Sequence, residues 1–170
     1  MNNRFLSISC ALLVTVTSFA SLPIGWRYPN VKELSTKERA SSKSHYAVVN
    51  SDLNGDGVND SAVILINSDK KGEALWVKLS VGISDFKWIK LDEIKAESVA
   101  PSMGIEVAKP GEYSFGCYDE DSNCSFGPEE TRLKLSLTLP GIEYFRFESA
   151  SSIFYWDVKL LRFRRVWTSD

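Results

Sequence analysis

The chain has 170 residues, a formal net charge of −2, 44% hydrophobic residues and one histidine, His45. The apolar share is enough for one packed core, and the mild acidity excludes the electrostatic footprint of a nucleic-acid binder. With one histidine and no Cys-x₂-Cys pair, a zinc site is excluded as well.

Met1 to Ala20 reads as an export signal. Arg4 supplies the positive start, Phe5 to Phe19 is mostly apolar or small, and Ser18-Phe19-Ala20 is a small-x-small cleavage site. The stretch is too short and too rich in Ser and Thr for a membrane span, so the mature chain is expected to have no integral membrane segment. Residues 21–170 are expected to form a single β-rich domain in the periplasm or outside the cell. Leu22 to Pro29 is an extended lead-in whose Trp26 and Tyr28 are expected to dock on the core. Asn30 followed by Glu33 is a capping-box pattern, which predicts a short helix from Val31 to about Arg39 with Val31 and Leu34 facing inward. Ala40 to Ser44 reads as a polar linker.

His45 to Val49 and Ser61 to Ile66 are β-branched and apolar, and read as strands. Between them lies Asp52-Leu53-Asn54-Gly55-Asp56-Gly57-Val58-Asn59-Asp60. Asp52, Asn54 and Asp56 offer side-chain oxygens at alternate positions, Val58 a backbone carbonyl, and Asp60 a closing carboxylate. Ca²⁺ takes six to eight such hard ligands, and Gly57 permits the sharp turn around an ion. Three carboxylates this close repel one another, and a dication removes the repulsion. The twelfth position counted from Asp52 is Val63, where an EF-hand needs a bidentate Glu, and the flanks are strands rather than helices. The alternative is a metal-free turn, for which Asn54-Gly55 is itself a signal.

Further along, Leu75, Val77 and Leu79 alternate with Trp76 and Lys78. Phe86 to Leu91 alternates again, and an antiparallel meander follows from their pairing. Asp92 to Gly104 shows no clear pattern beyond a short helical or irregular piece before Pro101. Ile105 to Ala108 reads as an edge strand and Lys109 to Glu112 as a turn. Cys117 and Cys124 are an even pair in an oxidising compartment, so a disulfide closing a short polar loop is expected. Leu133, Leu135, Leu137 and Leu139 form one apolar face. Ile142 to Phe147, Ile153 to Trp156, and the run through Leu161, Phe163, Arg165 and Trp167 complete the strands. The whole is mainly β: an antiparallel sheet or meander, curled or two-layered, with one short N-terminal helix.

The Asp-x-Asn-x-Asp-Gly-x-x-Asp loop leading into an apolar strand resembles the calcium loop of FG-GAP and VCBS-type repeats. The likeness covers about Tyr46 to Ile66 in a single copy. It implies the loop and its ligands, not a propeller. A second resemblance spans most of the mature chain. It rests on Gly25-Trp26-Arg27, the loop, Phe147 to Ser151, Tyr155-Trp156-Asp157 and Phe163 to Trp167. This layout resembles uncharacterised bacterial exported proteins and implies no activity.

Together these features suggest an exported, non-enzymatic binding or interaction module with structural Ca²⁺, facing an unknown protein or glycan partner. Two alternatives remain. Glu143, Glu148 and Asp157 lie among aromatics, as in an enzyme acting on envelope polysaccharide, although the solvent face of strands is the plainer reading. An inhibitor or immunity-type protein is the other. Arg162, Arg164 and Arg165 read as a basic cluster, solvated or paired with nearby acids.

Overall fold

The computed structural model describes residues 21–69, 72–82, 85–95, 101–121, 124 and 126–170, so the leader expected over Met1 to Ala20 lies outside the described residues. The strands in chain order are β1 (Trp26–Arg27), β2 (Val48–Ser51), β3 (Asp60–Asn67), β4 (Glu73–Ser80), β5 (Phe86–Ile94), β6 (Met103–Ala108), β7 (Gly111–Phe115), β8 (Cys117–Tyr118), β9 (Leu133–Leu137), β10 (Gly141–Arg146), β11 (Ser151–Asp157) and β12 (Arg162–Ser169), with one helix, α1 (Val31–Leu34), after β1. Every pairing between them is antiparallel.

Period-two alternation decides which face is buried. In the first sheet, ordered β1-β3-β4-β5 with β2 also on β3, the inward row of β4 is Leu75, Val77 and Leu79. These meet Ile105, Ile142, Tyr144 and Phe154 of the second sheet, ordered β6-β10-β11-β12-β8. The opposite face of the second sheet carries Ala108, Ile153 and Val166. A small third layer, the pair β7–β9, covers them with Phe115, Leu135 and Leu137. The fold is antiparallel and layered as expected, and this small layer is added to the two larger sheets, with the Leu135/Leu137 face sealing a second core. β6 is an edge strand of its sheet, as its pattern suggests. Cys117 and Cys124 are disulfide-bonded across a Cα separation of 5.2 Å.

The outer face of the first sheet is covered by aromatics. Trp26 packs edge-on against Trp76, with ring centroids 5.7 Å apart, and Trp76 packs on Trp88 at 6.4 Å. Trp26 therefore docks on the outer face of this sheet rather than on the core, and Tyr28 is exposed. The capping box is present: Asn30 Oδ1 accepts from Glu33 N at 3.1 Å and Glu33 Oε2 from Asn30 N at 2.7 Å. Glu33 also pairs bidentately with Arg27 at 2.7 and 2.8 Å. The helix nevertheless ends at Leu34, and Val31 is 81% exposed. Local capping starts the helix, but without a buried stripe nothing prolongs it. A separate 3-10 turn, Glu38–Ser41, replaces the predicted helix end and the start of the predicted linker. The strand expected from His45 begins only at Val48, because His45 and Tyr46 both take positive φ, 50° and 53°.

The 3-10 turn brings Arg39 into the interior. Its guanidinium is fully buried and donates to the carbonyls of His45 at 2.8 Å, Pro101 at 2.9 Å, and Met103. The Phe147 ring lies 5.1 Å from it. Glu73, also buried, accepts from Ser102 N and Ser102 Oγ at 2.6 Å each, and from Met103 N at 3.2 Å. Desolvation holds the Glu73 carboxyl above its ordinary value of 4.5 despite those donors and the nearby Arg39 charge. Burial lowers the Arg39 pKa for the same reason.

A carboxyl whose folded pKa is raised contributes stability fully below its unfolded pKa, and that contribution is lost as pH rises through the folded pKa. Urea unfolding of wild type and Glu73→Gln across pH 4 to 8 should therefore show the wild type losing stability relative to the variant as pH rises. Parallel profiles would show that the carboxyl is not held in its raised state.

Candidate functional site

The Asp52–Asp60 loop joins β2 to β3, and its strand–loop–strand form is present. Leu53 is its anchor: the side chain is fully buried in the main core, which pulls the loop down onto the sandwich. Gly55 and Gly57 take φ of 79° and 84°. At Gly55 a Cβ would also stand 3.1 Å from the Leu139 side chain, so both conformation and space favour glycine there.

Each acidic residue of the loop has a distinct set of donors. Asp52 Oδ1 accepts from Gly55 N at 2.7 Å and Asp56 N at 3.2 Å, and its Oδ2 from Gly57 N at 2.9 Å. Asp56 Oδ1 accepts from Val58 N at 2.8 Å, and its Oδ2 from the Asn54 amide at 3.2 Å. Asp60 is buried: its Oδ2 accepts from Leu53 N at 2.9 Å and its Oδ1 from Ser80 N at 2.8 Å. Ser80 Oγ lies 2.8 Å from Asp60 Oδ1 and 3.1 Å from Asp56 Oδ2. The Val58 N–H, helped by Asn54 and Ser80, holds the Asp56 carboxyl below its ordinary range against some desolvation.

A serine hydroxyl has one proton to donate. At Ser80 two carboxylates compete for it, one buried and one at the surface. Sequence reading missed Ser80, which stands at the far end of β4 and carries no local signal. It also missed the task of Asp60, whose oxygens tie the start of the loop to β4.

The donor set is chemically that of a hard cation site, since Asp52, Asn54, Asp56 and Asp60 present only oxygen ligands and Val58 adds its carbonyl. Among the described residues no group of three or more His, Cys, Asp or Glu side chains converges as a cage by itself. A cation here would depend on the mixed amide, carbonyl and water ligation that Ca²⁺ accepts.

The other candidate residues are dispersed. Glu148 sits at a φ of 58° in the β10–β11 turn. Asp157 ends β11, where it accepts from Lys159 N at 2.9 Å and Leu160 N at 3.0 Å. The length of β11 separates them, on the order of 20 Å at a strand's rise per residue. Glu143 lies mid-strand directly opposite Glu106 on β6. Its pKa is raised by burial and then by that neighbouring charge. The hairpin thus does not bring Glu143, Glu148 and Asp157 to one cleft. Arg162 and Arg164 share Glu120 at 3.6 and 3.3 Å, whereas Arg165 is buried and turns inward. His45 lies in the turn before β2, not in a strand.

No family model matches the chain, no curated protein matches it, and no solved structure matches it.

The bonds to Asp60 and Asp56 predict unequal costs in metal-free protein. Asp60→Ala strands Leu53 N and Ser80 N in the interior and should cost about 2–4 kcal/mol in urea unfolding. Asp56→Ala, at the surface, should cost less than about 1 kcal/mol. Equal losses would contradict the assignment of Asp60 as the strut.

Proposed function

We propose that the protein is an exported, non-enzymatic binding module whose Asp52–Asp60 loop takes up Ca²⁺ as a structural ion. The observation that supports this most directly is the single Ser80 hydroxyl set between Asp56 and Asp60. Every donor to Asp52, Asp56 and Asp60 is a neutral N–H, amide or hydroxyl, and among the described residues no Lys or Arg pairs with them, so a dication beside Asp52, Asn54, Asp56 and the Val58 carbonyl would supply a positive charge that the loop lacks. The ion's task is to fix the β2–β3 connection and its register. The disulfide between Cys117 and Cys124 accords with an oxidising compartment. Among the described residues no helix is long and apolar enough to cross a membrane. The dispersal of Glu143, Glu148 and Asp157 weighs toward binding over polysaccharide hydrolysis, and a protein or glycan is the expected partner.

Thermal unfolding with Ca²⁺ and with excess chelator tests the reading. At about a hundredfold excess over Kd, Ca²⁺ should add roughly 2.7 kcal/mol. For a chain of this size that is a rise in Tm of about 5–10 °C. Asp56→Ala should fold normally and lose the shift. An unchanged Tm at millimolar Ca²⁺ would make the loop a turn and nothing more.

A further inference from the structure

The core between the two large sheets is apolar along most of its length, but at one end its inward rows carry charge. On β10, Arg146 faces the same side as Tyr144 and pairs with Met103 of β6. On β12, Arg165 lies opposite Phe154, and Trp167 opposite Ser152, so both share that inward face. From the first sheet, the bulge at Leu75/Trp76 shifts the β5 register so that Asp92, not Leu91, pairs with inward-facing Leu75. Asp92 and Ile94 therefore meet the arginines across the gap. Between them is a pocket of about 310 Å³ lined by Arg146, Arg165, Trp167 and Asp92, with Ile94, Met103 and Ala150 as its apolar wall.

Arg165 is held rigidly at this site. It is 9% exposed, and its Nε donates to Ser152 Oγ at 3.0 Å and its Nη1 to Asp92 Oδ2 at 3.1 Å. Its guanidinium stacks 3.7 Å from the Trp167 ring centroid, and Asp119 stands 3.8 Å from Nη1. Among the described residues no protein group engages Nη2 or the Arg146 guanidinium. Arg165 thus has two carboxylates, Asp92 in the lining and Asp119 outside it, whereas among the described residues Arg146 has none, and its planar donors stand unspent beside an apolar wall.

We propose that this pocket binds a monocarboxylate carried on a short apolar body. One negative charge pairs with Arg146, the guanidinium without a carboxylate, and a carboxylate matches the donor geometry of arginine. Ile94, Met103 and Ala150 take the apolar part. A free short-chain acid and the carboxyl terminus of a peptide share this chemistry. The inference goes beyond the calcium reading and does not rest on it.

Titration calorimetry of the mature, oxidised protein decides it, with four probes: hexanoate, hexanamide, a tripeptide ending in leucine, and the same tripeptide amidated. Hexanoate or the free-acid tripeptide should bind while its neutral counterpart does not, and the tighter of the two acids identifies the source. Arg146→Gln, at the exposed rim, should weaken that binding about tenfold or more with near-UV circular dichroism unchanged. Arg165→Lys keeps the charge and loses the fork, and should weaken it further; should that variant fail to fold, Arg146→Gln alone decides. Equal affinity for acid and amide, unchanged binding in Arg146→Gln, or no binding up to roughly 10 mM of either acid would overturn the proposal.

Discussion

A fully buried guanidinium must find acceptors for its N–H groups, and Arg39 finds them in the carbonyls of His45, Pro101 and Met103. Glu73 takes donors from the same short segment, through Ser102 N, Ser102 Oγ and Met103 N. The two charges act on one piece of backbone from either side: Arg39 on its carbonyls and Glu73 on its N–H groups. That piece is where β6 begins, and β6 carries the register of the second sheet onto β10. The 3-10 turn, the first sheet and the second sheet are thus pinned to one another at a place where apolar contact alone would permit sliding. Removing Arg39 would leave the carbonyls of His45, Pro101 and Met103 without this donor, and removing Glu73 would leave the N–H groups of Ser102 and Met103 without this acceptor, in each case where an unmade bond is costly.

The reach of this arrangement explains what could be read in the chain and what could not. Leu75, Val77 and Leu79 were legible because period-two alternation is a local property, and so was the capping box, which spans four residues. The Asp-x-Asn-x-Asp-Gly pattern was legible for the same reason, and the loop lies between two strands as its flanks implied. Arg39 was not, since its Pro101 and Met103 acceptors lie 62 and 64 positions away. A buried charge leaves no periodic trace. Ser80 stands 20 positions beyond Asp60 and looks like any strand-end serine. Arg165 looked like one of three neighbouring surface arginines until the β11–β12 register turned it inward. The helix stops at Leu34, short of Arg39, because a cap marks where a helix starts and tertiary burial decides how far it runs.

The like-charge pair Glu106–Glu143 fits the same logic. On an antiparallel sheet, residues directly opposite each other meet whatever their charge. The strand register places them together because Ile142 and Tyr144 on one side of Glu143 must both reach the core. Burial and repulsion then raise the Glu143 pKa. Its altered acidity is a consequence of packing elsewhere in the strand, and no second acid from Glu148 or Asp157 stands by to use it.

β4 shows how the two polar sites depend on one strand. It begins at Glu73, bonded to Ser102 and Met103, and ends at Ser80, bonded to Asp60 and Asp56. Between those ends its inward side chains are Leu75, Val77 and Leu79. Similar aliphatic side chains tolerate a shift of two residues, since the same face stays buried, whereas hydrogen bonds at fixed positions do not. A shift of the strand by a residue pair would strand Glu73 among apolar atoms at one end and leave Asp60 without its Ser80 donors at the other. The apolar middle of β4 therefore supplies cohesion, and its polar ends supply the register. The loop ends at Asp60, whose bonds to Ser80 N and Oγ tie its position to that register.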